Sequence, residues 1–218
     1  VVVSQFMLTF GSDPNAKVTK KSKSPLSFHP IALIFGLLSF VSYLVEGAVG
    51  DWSALYLFED KGIVIEEAVM GVMLFNGTMC IGRLLGNRLG KHLTSKQVVV
   101  GGYLLGSIAM GLIVFLPGHA SMYTYLLLGI SLAMIVPNLF SAMGEQNVIP
   151  MTQAVATSTM LGYMGILMGP ALIGFIAHGT SLTVAFIVLT ILLVVSAGIG
   201  KYAYHLMSKD CGLSEEQI

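Results

Sequence analysis

Residues 30–57 read PIALIFGLLSFVSYLVEGAVGDWSALYL, and this stretch decides the fold. A helix needs about 20 consecutive, mostly apolar residues to cross the hydrocarbon core of a bilayer. This stretch has that length and composition, and five further stretches of the same kind follow it. They occupy residues 67–86, 97–117, 121–143, 153–177 and 181–206. The sequence therefore predicts an all-α membrane protein with six transmembrane helices, which we number as spans one to six.

The composition excludes other classes of protein. Of the 218 residues, 55% are hydrophobic and 10% are charged, whereas a soluble domain carries about 25% charged residues. Eleven Lys and Arg balance eleven Asp and Glu, so no excess charge indicates a nucleic-acid partner. Cys80 and Cys211 lie too far apart in sequence to suggest a metal site. We found no nucleophile–base motif either, and we predict no enzymatic activity, no cofactor and no metal.

The chain divides into four parts. Residues 1–10 are apolar but too short to cross a membrane, and we interpret them as the end of a preceding membrane helix. Residues 11–29 form a hydrophilic, basic linker, residues 30–206 the six-helix transmembrane half-domain, and residues 207–218 a C-terminal tail. The chain begins with Val1, and we expect it to be a piece of a longer protein.

The distribution of basic residues predicts the orientation in the membrane. With six spans, all but one of the 11 Lys and Arg residues fall on one side, and only Lys61 falls on the other. Cytoplasmic loops carry an excess of Lys and Arg. We therefore expect the linker and the tail to be cytoplasmic. The residues on the cytoplasmic side are Lys17, Lys20, Lys21, Lys23, Arg83, Arg88, Lys91, Lys96, Lys201 and Lys209.

Span one contains two carboxylates. A charged side chain inside a span normally faces a cavity or a partner, so Glu46 is our candidate for a proton-binding group and Tyr43 for a neighbouring site residue. A stripe of small and polar residues shares the face of Glu46, as expected of a surface lined by water or substrate. The stripe consists of Ser39, Ser42, Tyr43, Glu46, Gly50 and Ser53. Asp51 is either a second site residue or an ordinary interfacial residue, and Trp52 and Tyr56 are expected to be interfacial anchors.

Spans two and four add polar candidates. Asn76, Cys80 and Arg83 form one stripe of span two, and Asn76 is a candidate site residue. Pro137 predicts a kink in span four. The amide of Asn138 beside it either binds a ligand or bridges two helices.

Glycines are spaced for close helix contacts in two spans. Gly82, Gly86 and Gly90 recur every four residues at the end of span two, which allows another helix to approach closely. Span five contains Gly162, Gly165, Gly169 and Gly174, and we interpret them as a sliding helix contact rather than a binding site.

Several stretches together resemble a known superfamily. The loop Asn87-Arg88-Leu89-Gly90-Lys91-His92 is similar to the Asp-Arg-x-Gly-Arg-Lys motif of the major facilitator superfamily (MFS) in the weaker copy of its C-terminal half. Residues 46–57, together with Ile135-Val136-Pro137-Asn138-Leu139-Phe140-Ser141, resemble a branch of uncharacterised bacterial inner-membrane members related to sugar transporters. The motif's aspartate is replaced here by Asn87, which makes a charge-based lock at that position unexpected.

The resemblance implies a fold, a function and a location in a bacterial inner membrane. The six spans would be helices 7–12 of an MFS transporter, built as a 3+3 inverted repeat, with the N-terminal six-helix half as the missing partner. The function implied is secondary active transport of a small organic solute, sugar-like or other, by alternating access; a titrating Glu46 would couple it to protons. Arg83, Asn87, Arg88, Gly90 and Lys91 would control the conformation, with Arg83 and Arg88 bonding carbonyls or carboxylates at neighbouring cytoplasmic helix ends. The alternative is a non-transporting assembly partner or sensor whose polar stripes only hold helices together.

Overall fold

The computed structural model describes residues 29–89, 93–146 and 148–211. The side chains of residues 87–89 and 210–211 are not described. The expected helix end at 1–10, almost all of the linker at 11–29 and the tail beyond residue 211 lie outside the described residues.

Seven helices make up the described chain, and their lengths follow from the apolar runs. Six spans are long and apolar enough to cross a membrane, which confirms the predicted number. Span four consists of two helices, α4 and α5, and the last helix continues past residue 206, where we expected it to end. The helices are α1 (Pro30–Glu59), α2 (Ile65–Leu89), α3 (Ser95–Phe115), α4 (Gly118–Ala133), α5 (Ile135–Glu145), α6 (Met151–Gly179) and α7 (Leu182–Cys211).

The kink predicted in span four is present, and it separates α4 from α5 at Met134. Pro137 lacks the N–H group that would continue the helical hydrogen bonds through this point. The Asn138 side-chain amide donates to the carbonyl oxygen of Met134 at 2.7 Å, and the Asn138 backbone N–H donates to the same oxygen at 3.2 Å. This amide nitrogen therefore bonds its own helical segment rather than a second helix.

Helices α1 and α6 pack with their backbones in contact. A Cβ atom at Gly165 would collide with the carbonyl oxygen of Phe40, and one at Gly169 would stand 2.6 Å from the carbonyl oxygen of Leu44. Small residues drive close helix association in membranes because they let backbones approach. The glycines of span five therefore form the predicted helix contact; that the contact slides stays a prediction.

The glycines of span two face span four. A Cβ at Gly82 would lie 2.6 Å from the Ala133 methyl group, and one at Gly86 would collide with the Met134 side chain. This confirms the close approach predicted for these two glycines, while Gly90 lies outside the described residues.

Much of the surface of the described helices is apolar. Phe115, Phe175 and Leu84 are all more than 70% exposed, as expected where lipid takes the place of water.

Candidate functional site

The centre of the site is an ion pair between α1 and α2. One guanidinium nitrogen of Arg83, Nη2, donates to both carboxylate oxygens of Glu46, at 3.2 Å to Oε2 and 3.4 Å to Oε1. Glu46 lies near the middle of the 30-residue helix α1, and Arg83 lies in the last third of α2. The partner of Arg83 is therefore a carboxylate within a span and not, as we expected, a group at a helix end.

One side of this ion pair is open. The Glu46 side chain is 23% exposed and the Arg83 side chain 44% exposed. Charges inside a span face protein or a water-filled cavity, because contact with hydrocarbon costs several kcal/mol. This face of the six-helix unit is therefore unsuited to lipid, in contrast to the apolar surface elsewhere.

Two tyrosines border the ion pair. Tyr43 lies one helical turn before Glu46, close enough for the charges of Glu46 and Arg83 to act on its hydroxyl. Its ring stacks on the exposed ring of Tyr163 from α6, with centroids 6.2 Å apart and planes 10° apart. Gly162 makes room for this contact, since a Cβ there would lie 2.7 Å from the Tyr43 ring. We call Tyr43, Glu46, Arg83 and Tyr163 the Glu46 face.

The three serines of the predicted stripe belong to the packed interior instead. Ser39, Ser42 and Ser53 are each at most 3% exposed. The Ser42 hydroxyl bonds the Tyr103 hydroxyl of α3 at 2.8 Å, and that hydroxyl donates to the Leu38 carbonyl at 2.7 Å. The expectation that these serines line water or substrate was wrong. Several helices enclose α1, so only part of the polar stripe is exposed, and a spacing of 100° per residue does not show which part.

The remaining candidates do not join the ion pair. Asp51 and Asn76 are exposed and Asn138 is half-buried. Within the described ranges, no hydrogen bond or ion pair links any of the three to Glu46 or Arg83. Asn76 and Cys80 do share the exposed side of α2 with Arg83, as their spacing predicts. The roles of these residues stay predictions.

The other residues predicted to control the conformation fall where the structure says little. Asn87 and Arg88 belong to the last turn of α2, but their side chains are not described. Gly90 and Lys91 lie outside the described residues. Only Arg83 of this group has a described partner.

A second polar cluster lies where α1 and α3 end, and we did not predict it from the sequence. The Lys61 ammonium donates to the Val114 carbonyl at the end of α3 at 2.6 Å and lies 5.3 Å from the centre of the Tyr56 ring. Burial lowers the pKa of Lys61, while the nearby Asp60 charge opposes the shift. Tyr56 is fully buried and stacks on Phe186, so its expected role as an interfacial anchor was wrong.

Trp52 also packs inward. Its indole N–H donates to the Pro170 carbonyl of α6 at 2.9 Å, and the ring lies against Gly174. This bond joins the C-terminal half of α1 to the C-terminal half of α6.

Comparisons with known proteins match this architecture. The chain superposes on two crystal structures of the Escherichia coli fucose:proton symporter FucP. Superposition on the structure of the outward conformation gives a TM-score of 0.74 at 14% sequence identity, and the match covers 93% of this chain and 51% of the symporter. A variant of the symporter gives 0.71 at 16% identity, covering 84% and 47%.

This is the fold of one six-helix half of an MFS transporter. The resemblance noted in the sequence is confirmed by relatives. An uncharacterised MFS-type transporter of Yersinia pestis is 41% identical over 76% of this chain and 43% of its own length. The membrane protein MosC of Rhizobium meliloti is 31% identical over 69% of this chain and 37% of its own length. No family model matches the chain.

The six-helix fold and these relatives account for the broad properties of the protein. It is a multi-pass membrane protein, and relatives and structural neighbours are described as transporters rather than enzymes. The matched region spans less than half the length of these relatives. The open Glu46 face lies on a six-helix unit that matches about half of the symporter chain.

Proposed function

We propose that this MFS half belongs to a secondary active transporter of a small organic solute, coupled to protons and working by alternating access. The observation that carries the proposal is the partly exposed Glu46–Arg83 ion pair, whose carboxylate lies near the middle of a span. We assign proton binding to Glu46 and solute contact to the Glu46 face.

The ion pair offers a direct means of coupling. The ionised Glu46 carboxylate accepts two hydrogen bonds from Arg83, and protonation removes the charge that holds the guanidinium. A proton on Glu46 thus weakens a contact between α1 and α2. A proton shifts the equilibrium between two conformations only if it binds them with different affinities. A contact between α1 and α2 that weakens on protonation provides such a difference and is suited to alternating access.

The surroundings of the ion pair suit an uncharged or polar organic solute. The stacked Tyr43 and Tyr163 rings provide an aromatic surface with two hydroxyl groups. Asn76, Asn138 and Asp51 remain candidates for further polar contacts. The neighbour's title, a fucose:proton symporter, agrees with a proton-coupled sugar-like solute and is carried over here only as a proposal.

The open face also suggests the partner. We infer that the six spans are helices 7–12 and that the N-terminal six-helix half of the same protein covers the Glu46 face. Such a partner would separate Glu46 and Arg83 from hydrocarbon. We place both ends of this chain on the cytoplasmic side, from the distribution of its basic residues. We place the protein in the bacterial inner membrane because its sequence resembles bacterial inner-membrane transporters.

We further propose that the group Arg83, Asn87, Arg88, Gly90 and Lys91 biases the inward–outward equilibrium. Arg83 would act through Glu46, and Arg88 and Lys91 through neighbouring cytoplasmic helix ends. Losing one such contact would shift the equilibrium by about 1–3 kcal/mol, the usual size of coupling energies between sites. Altered transport kinetics in Arg83→Ala protein of wild-type orientation support this role, and unchanged kinetics contradict it.

Reconstitution of the full-length protein tests the function. Counterflow against a panel of sugars, polyols, organic acids and drugs identifies the solute, and an imposed pH gradient then tests coupling. Glu46→Gln should abolish accumulation driven by the gradient while counterflow persists. Glu66→Gln, on an exposed glutamate in the first turn of α2, is the matched control.

Two outcomes contradict the proposal. Wild-type accumulation in correctly inserted Glu46→Gln protein removes the proton role of Glu46. Failure of every solute to exchange, in a protein that remains folded, favours the alternative of a non-transporting assembly partner or sensor. The buried Ser42–Tyr103 bond is a contact that this alternative also explains, because it only holds α1 against α3.

A further inference from the structure

A cavity of about 600 Å³ opens on the surface of the six-helix unit, between the start of α3 and the last third of α7. Two lysines from different helices, Lys96 of α3 and Lys201 of α7, line its polar end. Val100, Gly101 and Leu104 line its apolar part. Neither lysine belongs to the Glu46 face, so the site is separate from the one described above.

The polar end is suited to an anion. Thr94 caps α3 through the Gln97 backbone N–H, and the remaining N–H groups of the first turn, with the helix dipole, favour negative charge. Lys201 is exposed and approaches from the neighbouring helix. Basic pockets between transmembrane helices at the membrane surface bind anionic lipid headgroups.

The apolar part consists of two grooves that begin at the same polar end. The first runs past Leu104, whose side chain is 47% exposed. The second, of about 340 Å³, runs between α3 and α4 past Leu105 and Ile130. Gln97 and Gly101 line both grooves, and nothing lies within 4 Å of the position that a Cβ at Gly101 would take.

We propose that this surface binds one anionic glycerophospholipid. Its phosphate lies between Lys96 and Lys201 at the start of α3, and its two acyl chains follow the two grooves. A free phosphate accounts for the lysines but not for two adjoining apolar grooves. A glycerophospholipid with two chains matches both parts, and the exposed apolar residues around the grooves are suited to contact with the bilayer.

The test uses the purified full-length protein and phosphatidylglycerol, with phosphatidylcholine as the uncharged reference. Bound lipid is counted by native mass spectrometry, and thermal unfolding in phosphatidylcholine checks that each variant is folded. Lys201→Gln should weaken phosphatidylglycerol binding about fivefold, the size expected for one lysine near an anionic headgroup. Lys209→Gln, on an exposed lysine of α7 that does not line the cavity, should leave binding unchanged.

A second variant separates lipid from free phosphate. Gly101→Leu fills the start of both grooves and keeps both lysines, so it should reduce phosphatidylglycerol binding while inorganic phosphate has no effect on wild-type stability. Equal binding of the two lipids by the wild type overturns the proposal. So does an unchanged affinity in folded Lys201→Gln protein, and stabilisation by inorganic phosphate alone identifies a free-anion site instead.

Discussion

Helix α1 has two flanks that are built in opposite ways. Towards α6 it presents its backbone: the carbonyls of Phe40 and Leu44 lie directly against Gly165 and Gly169. Towards α2 it presents Glu46, which reaches Arg83 through two long, half-exposed side chains. At Gly165 and Gly169 the first flank has no space for a methyl group. In the second flank, α1 and α2 are joined through side chains, with Arg83 Nη2 at 3.2–3.4 Å from the Glu46 carboxylate oxygens.

The difference separates a fixed contact from an adjustable one. Backbones in contact have few alternative arrangements, because every atom of a close-packed interface meets a neighbour. A salt bridge between flexible side chains changes length at little cost and responds to protonation and to ligands. The α1–α6 pair is therefore expected to move as a unit, and not to slide as we predicted from the glycine spacing, while the α1–α2 contact changes. Of four experiments, given from the largest expected effect to the smallest, two test this contrast directly and two measure polar contacts elsewhere for comparison.

Gly165→Ala should break the fixed flank. Its new methyl group collides with the Phe40 carbonyl oxygen, so α1 and α6 must move apart, at a cost of about 1–3 kcal/mol. The midpoint of thermal unfolding of the full-length protein measures the loss. Gly198→Ala is the control, because its position on α7 has no neighbour within 4 Å. Equal stability of the two variants would show that the α1–α6 contact yields easily.

Tyr103→Phe should show what a closed polar contact contributes. The variant removes the bond to the Leu38 carbonyl and the partner of Ser42, both buried. A loss of about 1 kcal/mol in the free energy of unfolding is expected. Tyr202→Phe, on a tyrosine that is 59% exposed, should lose nothing. A similar loss in both variants would contradict a specific role for the buried hydroxyl.

A double-mutant cycle should show that the other flank is weak. Glu46→Gln, Arg83→Gln and the double variant give the coupling energy between the two side chains, measured from unfolding. Solvent-exposed ion pairs couple by about 0.2–1 kcal/mol, and this pair, with the Glu46 side chain only 23% exposed, should lie at the upper end of that range, at about 1 kcal/mol. Removing one partner of a buried ion pair costs about 3–5 kcal/mol. A coupling energy of about 3 kcal/mol or more would therefore show that this flank is as rigid as the glycine contact.

Lys61 should give the smallest effect, through pH. Burial lowers the pKa of its ammonium in the folded protein. Between that lowered pKa and the ordinary lysine value of about 10.4, the unfolded chain binds more protons. Stability contributed by this site therefore rises with pH across that interval. The unfolding midpoint of the wild type should rise relative to that of Lys61→Met, and parallel curves would show that Lys61 titrates normally.

The sequence predicted what local patterns determine. Apolar runs gave six spans because their length must match the bilayer. Pro137 gave the kink because a missing N–H acts within one turn. The glycine spacing gave the close contacts of span five, since only a residue without a side chain admits a neighbouring backbone there.

The site was predicted only in part, because its geometry depends on contacts between spans. Glu46 and Arg83 were both singled out, but for separate roles; their pairing depends on how far α2 slides along α1, which periodicity does not show. The stacking of Tyr163 on Tyr43 was missed for the same reason. Ser42 was misread because a hydroxyl on a polar stripe looks the same whether it faces water or a buried tyrosine.

Trp52 gives the α1–α6 contact a spectroscopic signature. It is the one tryptophan among the 218 residues, and its indole both bonds the Pro170 carbonyl and touches Gly174. Indole emission changes in colour and intensity when its hydrogen bond or its exposure to solvent changes. Fluorescence from this half of the molecule therefore reports on one helix crossing without any label. A spectrum that stays constant during turnover records two helices travelling together.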